Sequence, residues 1–322
     1  MTETTKEIFK SHEVRKTGKE KKSFRNYLSS LAAEYGYEVK TEKPNKSTYN
    51  VIVGNPERAE VIYTAHYDTC AVMPIPNFIT PKSLPIYALY QLILTFIVYI
   101  IPFSMMAIAD DILLVTDSHL LSGLVYFAGL GIMILFTYLM MCGPANKHTA
   151  NDNTSGVTLL IDIMRELPNE LKDKVAFIFF DFEELGMIGS RGYKTMHPSV
   201  ATDKLIINFD CVSDGDNILF VPKKGAYYAI GMIEEAFAPT EKYEGKFSVE
   251  VAKKAFYPSD QINFNRGVGV SALNKTKSGI LYMNKIHTKK DTVYNEDNIE
   301  FLKEGAIKLA KSLTSSAGTP RN

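Results

Sequence analysis

The chemistry in this sequence is concentrated where apolar, strand-like runs give way to polar residues. The run AEVIYTA ends in His66, with Asp68 two residues on; KVAFIFF ends in DFEELG, carrying Glu183 and Glu184; KLIINF ends in Asp210. Near the C-terminus YMNKIHTKKDTVYN adds His287 and Asp291, and HTANDNTSGV sets Asp152 between Asn151 and Asn153 ahead of a helical pattern. Imidazoles and carboxylates in this mixture are the donors that hold zinc or a similar divalent ion. Each also has a plainer reading: Asp152 as a helix cap, His66 as a hydrogen-bonded histidine, the paired glutamates as a solvated turn. Recurrence at several strand ends favours one shared site over separate accidents.

The elements that must position these residues alternate in type. SFRNYLSSLAAEYG has the pattern of an amphipathic helix, TYNVIVG and AEVIYTA read as neighbouring strands, and SGVTLLIDIMREL reads as a helix. KVAFIFFDF and KLIINFD have buried-strand length, while GAYYAIGMIEEAF and NIEFLKEGAIKLAKSL read as further helices. Such alternation predicts an α/β fold, a three-layer sandwich around a central mixed, mostly parallel sheet. In open α/β sheets ligands gather at the carboxyl ends of the strands, where the polar residues stand.

Between His66 and Asp152 the chain changes character. Residues 84–109 and 120–142 are almost free of charge, and each run is long enough to cross roughly 30 Å of hydrocarbon as a helix. Tyr87, Tyr90 and Tyr138 lie near the ends, as interfacial tyrosines do. The expectation is a transmembrane hairpin, residues 83–143, inserted into one domain formed by residues 1–82 and 144–322. Two spans return the chain to the side it left. Lys82 and Lys147 flank the hairpin and the connecting stretch DDILLVTDSH has no lysine or arginine, which predicts an integral membrane protein with its soluble part in the cytoplasm. An insertion so close to Asp152 holds the polar strand ends near the bilayer, so the hairpin either helps form a substrate entrance or only tethers the domain. Neither span has a GxxxG pattern, and Gly123, Gly129 and Gly131 are the small residues available for helix contact. Oligomeric state is not fixed by these features.

Composition excludes other classes. Equal numbers of basic and acidic side chains, 36 each, and no lysine/arginine stripe interleaved with aromatics give no reason to expect nucleic-acid binding. The basic cluster RKTGKEKK near the start reads as a solvated approach to a helix. Cys70, Cys142 and Cys211 are odd in number and irregular in spacing, which predicts no disulfide framework and no CxxC metal site. Cys70 and Cys211 read as buried thiols. The polar N-terminus has no apolar run and does not read as a secretory signal.

The segments TAHYDT, ANDNTSGV, FFDFEELGMIGSRGY, NFDCV, YPSDQINFNRGVGVSAL and IHTKKDT, in that order, resemble the successive motifs of the co-catalytic di-zinc aminopeptidases of peptidase clan MH. Relatives in that group include glutamate carboxypeptidase, transferrin receptor and glutaminyl cyclase. Carried over position by position, the resemblance implies that His66 and Asp210 bind one zinc ion, Glu184 and His287 a second, and that Asp152 bridges them. Asn153 or Thr154 is then left to cap the helix. Adjacent residues in extended chain point in opposite directions, so Glu183 and Glu184 do not readily play the same role; the resemblance gives the water-facing role, that of general base, to Glu183. Asp68 matches the aspartate that fixes the tautomer of the first histidine, and Asp291 is a candidate for the same service to His287. His12, His119, His148 and His197 match no ligand position.

The resemblance implies hydrolysis of the first residue from a peptide with a free N-terminus, by a water activated between two zinc ions. Two other functions are compatible with the fold. Glutaminyl cyclase chemistry resembles a one-zinc site whose pocket commonly depends on tryptophan, and this chain has none. A non-catalytic receptor or scaffold would commonly have lost ligands or the base, whereas all are present here.

Overall fold

A computed structural model of the protein describes residues 1–316; residues 317–322, the end of the expected domain segment 144–322, lie outside the described residues. The centre is a sheet in the order β1-β2-β4-β3-β5-β8-β6-β7, with β9 paired to β8. These strands are β1 Val39–Glu42, β2 Asn50–Val53, β3 Val61–His66, β4 Val175–Phe180, β5 Leu205–Phe209, β6 Asn217–Pro222, β7 Ser248–Val251, β8 Gly267–Lys275 and β9 Leu281–Tyr282. The middle four, β4, β3, β5 and β8, run parallel, while β1, β2 and β6 add antiparallel neighbours.

Strand faces explain the layers. Val61, Tyr63 and Phe177 face a core shared with α1 (Glu3–Ser11), α2 (Gly18–Glu34), α7 (Gly156–Glu166) and α11 (Glu296–Ser316). Ile62, Ile178 and Phe180 alternate to the other face, beneath α8 (Ile188–Met196) and α9 (Pro198–Asp203). Period-two alternation with apolar residues on both faces is what a sheet covered on both sides requires. β2 and β3 are not neighbours as the sequence suggested, because β4 lies between them with Val51 opposite Phe179 and Ala65 opposite Phe179 on its two edges. The run VAFIFF is buried throughout and needs a partner on each edge, which local adjacency of TYNVIVG and AEVIYTA could not reveal.

The cluster RKTGKEKK is not a uniformly solvated approach. Arg15 and Lys21 are buried, Arg15 donating to the carbonyls of Tyr67 and His12 and to Thr154 Oγ1, and Lys21 pairing with Asp181 at 2.7 Å. Buried carbonyls and a buried carboxylate need donors, and long side chains from the N-terminal segment supply them.

The hairpin is helical over a longer path than its apolar composition indicated. α3 (Leu84–Thr95), a wide turn at Phe96–Ile100, α4 (Ile101–Ala107) and α5 (Ala109–Thr116) form a path of 33 residues, and α6 (His119–Cys142) returns with 24. Residues 110–116, placed in the connecting loop by their two aspartates, are therefore helical. Asp110 and Asp111 sit in the first turn of α5, where helix amides favour carboxylates, and only Asp117 and Ser118 connect to α6. Both paths are long and apolar enough to cross a membrane, and their most apolar windows are only 17% and 6% buried, unlike core helices. Gly129 is the small residue used for packing: a Cβ there would lie 2.5 Å from the Pro102 carbonyl, whereas Gly123 and Gly131 have no such neighbour. At its base the hairpin is closed by pairing of Ala71 with Ala145 and by hydrogen bonds from Val72 N to Pro144 O and from Asn146 N to Cys70 O.

Candidate metal centre

Because β3, β4 and β5 are parallel neighbours, His66, the Glu183–Glu184 turn and Asp210 emerge at one edge of the sheet. Asp152, ahead of α7, and His287, on the loop between β9 and α11, close over them. Asp152 divides its carboxylate between two histidines: Oδ1 lies 3.3 Å from His66 Nε2, and Oδ2 lies 2.8 Å from His287 Nε2. On the first side Asp210 Oδ1 is 3.5 Å from His66 Nε2; on the second, Glu184 Oε2 is 3.0 Å from His287 Nε2. All five proposed ligands thus converge, in two sets with Asp152 common to both.

The donor chemistry fits divalent ions. His66 Nε2, Asp210 Oδ1 and Glu184 Oε1 are buried without a hydrogen-bond partner from the protein, an arrangement costly for polar atoms unless a cation engages them. One donor atom each from His66, Asp152 and Asp210 falls within 4.8 Å of the others, and so does one each from Cys70, Glu184 and His287. Cys70 is a buried thiol, as expected, and its sulfur also belongs to the second cluster.

Supporting residues fix the ligands. His66 Nδ1 lies 3.1 Å from the Asp68 backbone carbonyl and 3.6 Å from its carboxylate, which accepts the backbone N–H groups of Glu183 at 3.0 Å and Glu184 at 3.3 Å, so Asp68 holds the His66 ring and the Glu183–Glu184 turn together. Asp291 does not serve the His287 ring. Its oxygens accept the amides of Asn151 and Asp152 at 2.8 and 3.0 Å, holding the arm that carries Asp152, because its loop approaches that arm. The His287 ring meets Asn77 instead, with Nδ2 3.0 Å from Nδ1. Asn153 caps the helix by accepting Gly156 N at 3.0 Å, and its Nδ2 donates to Phe209 O, tying α7 to the end of β5. Asn151 Oδ1 receives the amides of Ser213 and Asp214. A Cβ on Gly156 would fall 2.4 Å from the Phe209 carbonyl, so this close approach requires glycine.

Burial raises the carboxyl pKa of both Glu183 and Glu184. For Glu183, nearby Asp210, Asp260 and Glu184 add to this, His66 opposes it, and the result is well above the ordinary range. Burial would raise Asp152, but His287 and His66 outweigh it and hold the carboxyl well below its usual value. Burial would lower both histidines, and the surrounding carboxylates instead raise them. Asp260, buried beside Ser190, is pushed up to about 7 by burial and by neighbouring carboxylates.

His197 pairs with Glu42 at 2.7 Å, and His12 stacks on Tyr27, so neither approaches the centre. Arg15 and Asn77 were not recognised in the sequence as neighbours of the site. Their contacts depend on chain segments far away, and no local pattern marks them.

The family model described as peptidase family M28 matches residues 134–310, more than half of the chain. The chain belongs to peptidase family M28, whose zinc-exopeptidase fold the sheet and its flanking helices reproduce. No curated protein matches the chain in sequence. Among solved structures, LapA aminopeptidase of Legionella pneumophila is similar at 13% identity and TM-score 0.55, covering 97% of this chain and 69% of its own. Glutaminyl cyclase of Porphyromonas gingivalis is similar at 15% identity and TM-score 0.57, covering 96% and 95%. A Zn-dependent exopeptidase of Parabacteroides distasonis is similar at 16% identity and TM-score 0.55, covering 95% and 97%. At these identities the likeness establishes the fold.

Proposed function

We propose that the protein is a membrane-anchored, zinc-dependent aminopeptidase that releases N-terminal residues from peptides. The observation that carries this reading is the division of the Asp152 carboxylate between His66 and His287, each joined by a further carboxylate. His66 and Asp210 would hold one zinc ion, Glu184 and His287 the other, and Asp152 both. When bound, two zinc ions supply the positive charge that acidifies an attacking water and polarises the scissile carbonyl. Glu183 accepts the proton of that water and delivers it to the leaving amine, restoring its own starting state. Asp68 keeps the His66 ring and the Glu183 backbone in register while the proton moves. Carboxylates around the centre receive the α-ammonium of the substrate, which favours a free N-terminus.

The two apolar helices anchor residues 1–82 and 144–322 to the bilayer from one side. The absence of basic residues between the helices favours the cytoplasmic side. A glutaminyl cyclase-like acyl transfer is the second reading, favoured by the fold shared with the Porphyromonas protein. Purified protein in detergent is assayed for metal content, for release of aminoacyl-coumarin and for cyclisation of an N-terminal glutamine peptide. Two zinc ions per chain with coumarin release supports the peptidase; cyclisation without release replaces it.

A further inference from the structure

The mouth of the candidate centre is built partly by the hairpin. Met140 and Met141, at the end of α6, line the same cleft as Cys70, Glu184 and His287. Lys16 Nζ donates to the Met141 carbonyl at 3.0 Å and holds that helix end against the rim. From this cleft an apolar groove continues along α3, with about 140 Å³ of open space, lined by Met73, Pro74, Ile75, Leu94, Val98 and Met140. Met73 and Met140 belong to both spaces.

The groove is joined to the chemistry by bonds as well as by proximity. Its floor is the loop that leaves β3 after His66. Within that loop Met73 N donates to the His287 carbonyl at 2.9 Å, and Asn77, which lines the groove, contacts the His287 ring. Gln91 and Thr95 add polar groups to the α3 side of an otherwise apolar wall. Main-chain groups of an extended peptide need such partners, whereas an acyl chain needs none. The other wall of the groove belongs to helices that are apolar and largely exposed. A substrate reaching it from the lipid side keeps its apolar side chains out of water from the bilayer to the cleft. Methionines at the junction adapt to varied side chains.

We propose that this groove receives the apolar residues following the one to be released, so that the preferred substrates are peptides with an apolar N-terminal stretch drawn from the membrane interface. The inference rests on the peptidase reading, and it assigns specificity to Met73, Leu94, Val98 and Met140.

The test uses the full-length, zinc-loaded protein in phosphatidylcholine nanodiscs and two peptides. Both begin with leucine and carry p-benzoyl-phenylalanine second; one continues with leucines, the other with serines. In Glu183→Gln protein, which holds the peptide without turnover, illumination is expected to crosslink the leucine peptide at Leu94 or Val98, which line the groove and not the cleft. In otherwise wild-type protein, Leu94→Trp fills the groove and is expected to lower kcat/KM for the leucine peptide about tenfold relative to the serine peptide. Zinc content reports that the variant has folded. Crosslinking at these groove residues without cleavage of either peptide would sink the catalytic reading and leave the groove assignment standing. Cleavage with crosslinks elsewhere, an equal loss on both peptides, or a groove protected by lipid with no crosslink overturns the inference.

Discussion

Lys21→Met removes the cation from a buried ion pair and leaves Asp181 with only part of its support. The Lys21 and Asp181 side chains are 4% and 0% exposed, the pair is 2.7 Å apart, and the other Asp181 oxygen accepts Tyr49 N at 3.0 Å. Removing one partner of a buried pair costs about 3–5 kcal/mol, most of it the uncompensated charge left behind. For a domain of this size the melting temperature should fall on the order of 10 °C. Asp181 directly precedes the Phe182–Glu184 turn, so activity should fall with stability. The pH dependence has a definite sign. Burial already raises the Asp181 carboxyl pKa, with Asp68 adding to it and Lys21 opposing it, and losing Lys21 raises it further. The folded pKa then lies above the unfolded value, so the cost is present at neutral pH and fades as acid protonates the carboxyl. Thermal unfolding of wild type, Lys21→Met and the double variant Lys21→Met/Asp181→Asn, from pH 5 to 8, gives the comparison. Recovery in the double variant is expected; a shift below about 2 °C in the single variant would refute the reasoning.

Asp68→Asn should weaken zinc binding about 10- to 100-fold, because it alters the group beside His66 Nδ1 that also holds the Glu183 and Glu184 amides; competition with a zinc chelator measures it. Gly129→Ile should separate α6 from α4, since even a Cβ meets the Pro102 carbonyl at 2.5 Å, while Gly131→Ile, with nothing nearby, should not; crosslinking of cysteine pairs across the hairpin distinguishes them. Burial pushes Asp162 up to about 6, against the opposing charge of Arg165. Its folded pKa thus exceeds the unfolded value, so this carboxyl's contribution to stability is full below pH 4 and is lost as pH rises through 6, by up to about 3 kcal/mol. Asp162→Asn should flatten that part of the stability profile, measured by thermal unfolding across the same range.

The candidate ligands His66, Glu184 and Asp210 were legible because each stands where a strand ends, and parallel strands bring such ends to one side. Asp152 was readable as either cap or ligand from its neighbours alone. The structure gives the cap to Asn153, whose amide bonds both Gly156 N and Phe209 O, an arrangement spanning chain segments far apart in sequence. The roles of Asp291 and Asn77 were illegible for the same reason: which loop packs against which is a tertiary fact, and spacing within IHTKKDT could not choose between the His287 ring and the Asp152 amide. Arg15 and Lys21 look like solvated charges in a window of lysines and glutamate, and only burial against Tyr67 and Asp181 distinguishes them. The apolar hairpin was readable from composition, whereas the helical state of residues 110–116 was masked by aspartates that favour a helix's first turn as much as a loop.

In the proposed function Glu183 moves a proton and Asp152 holds metal. The most direct measurement is metal per chain, by mass spectrometry, alongside turnover of an aminoacyl-coumarin for Glu183→Gln and Asp152→Asn. Glu183→Gln should keep the wild-type metal content and lose turnover about a hundred- to ten-thousand-fold, while Asp152→Asn loses metal as well. Turnover near the wild-type rate in metal-replete Glu183→Gln would contradict it.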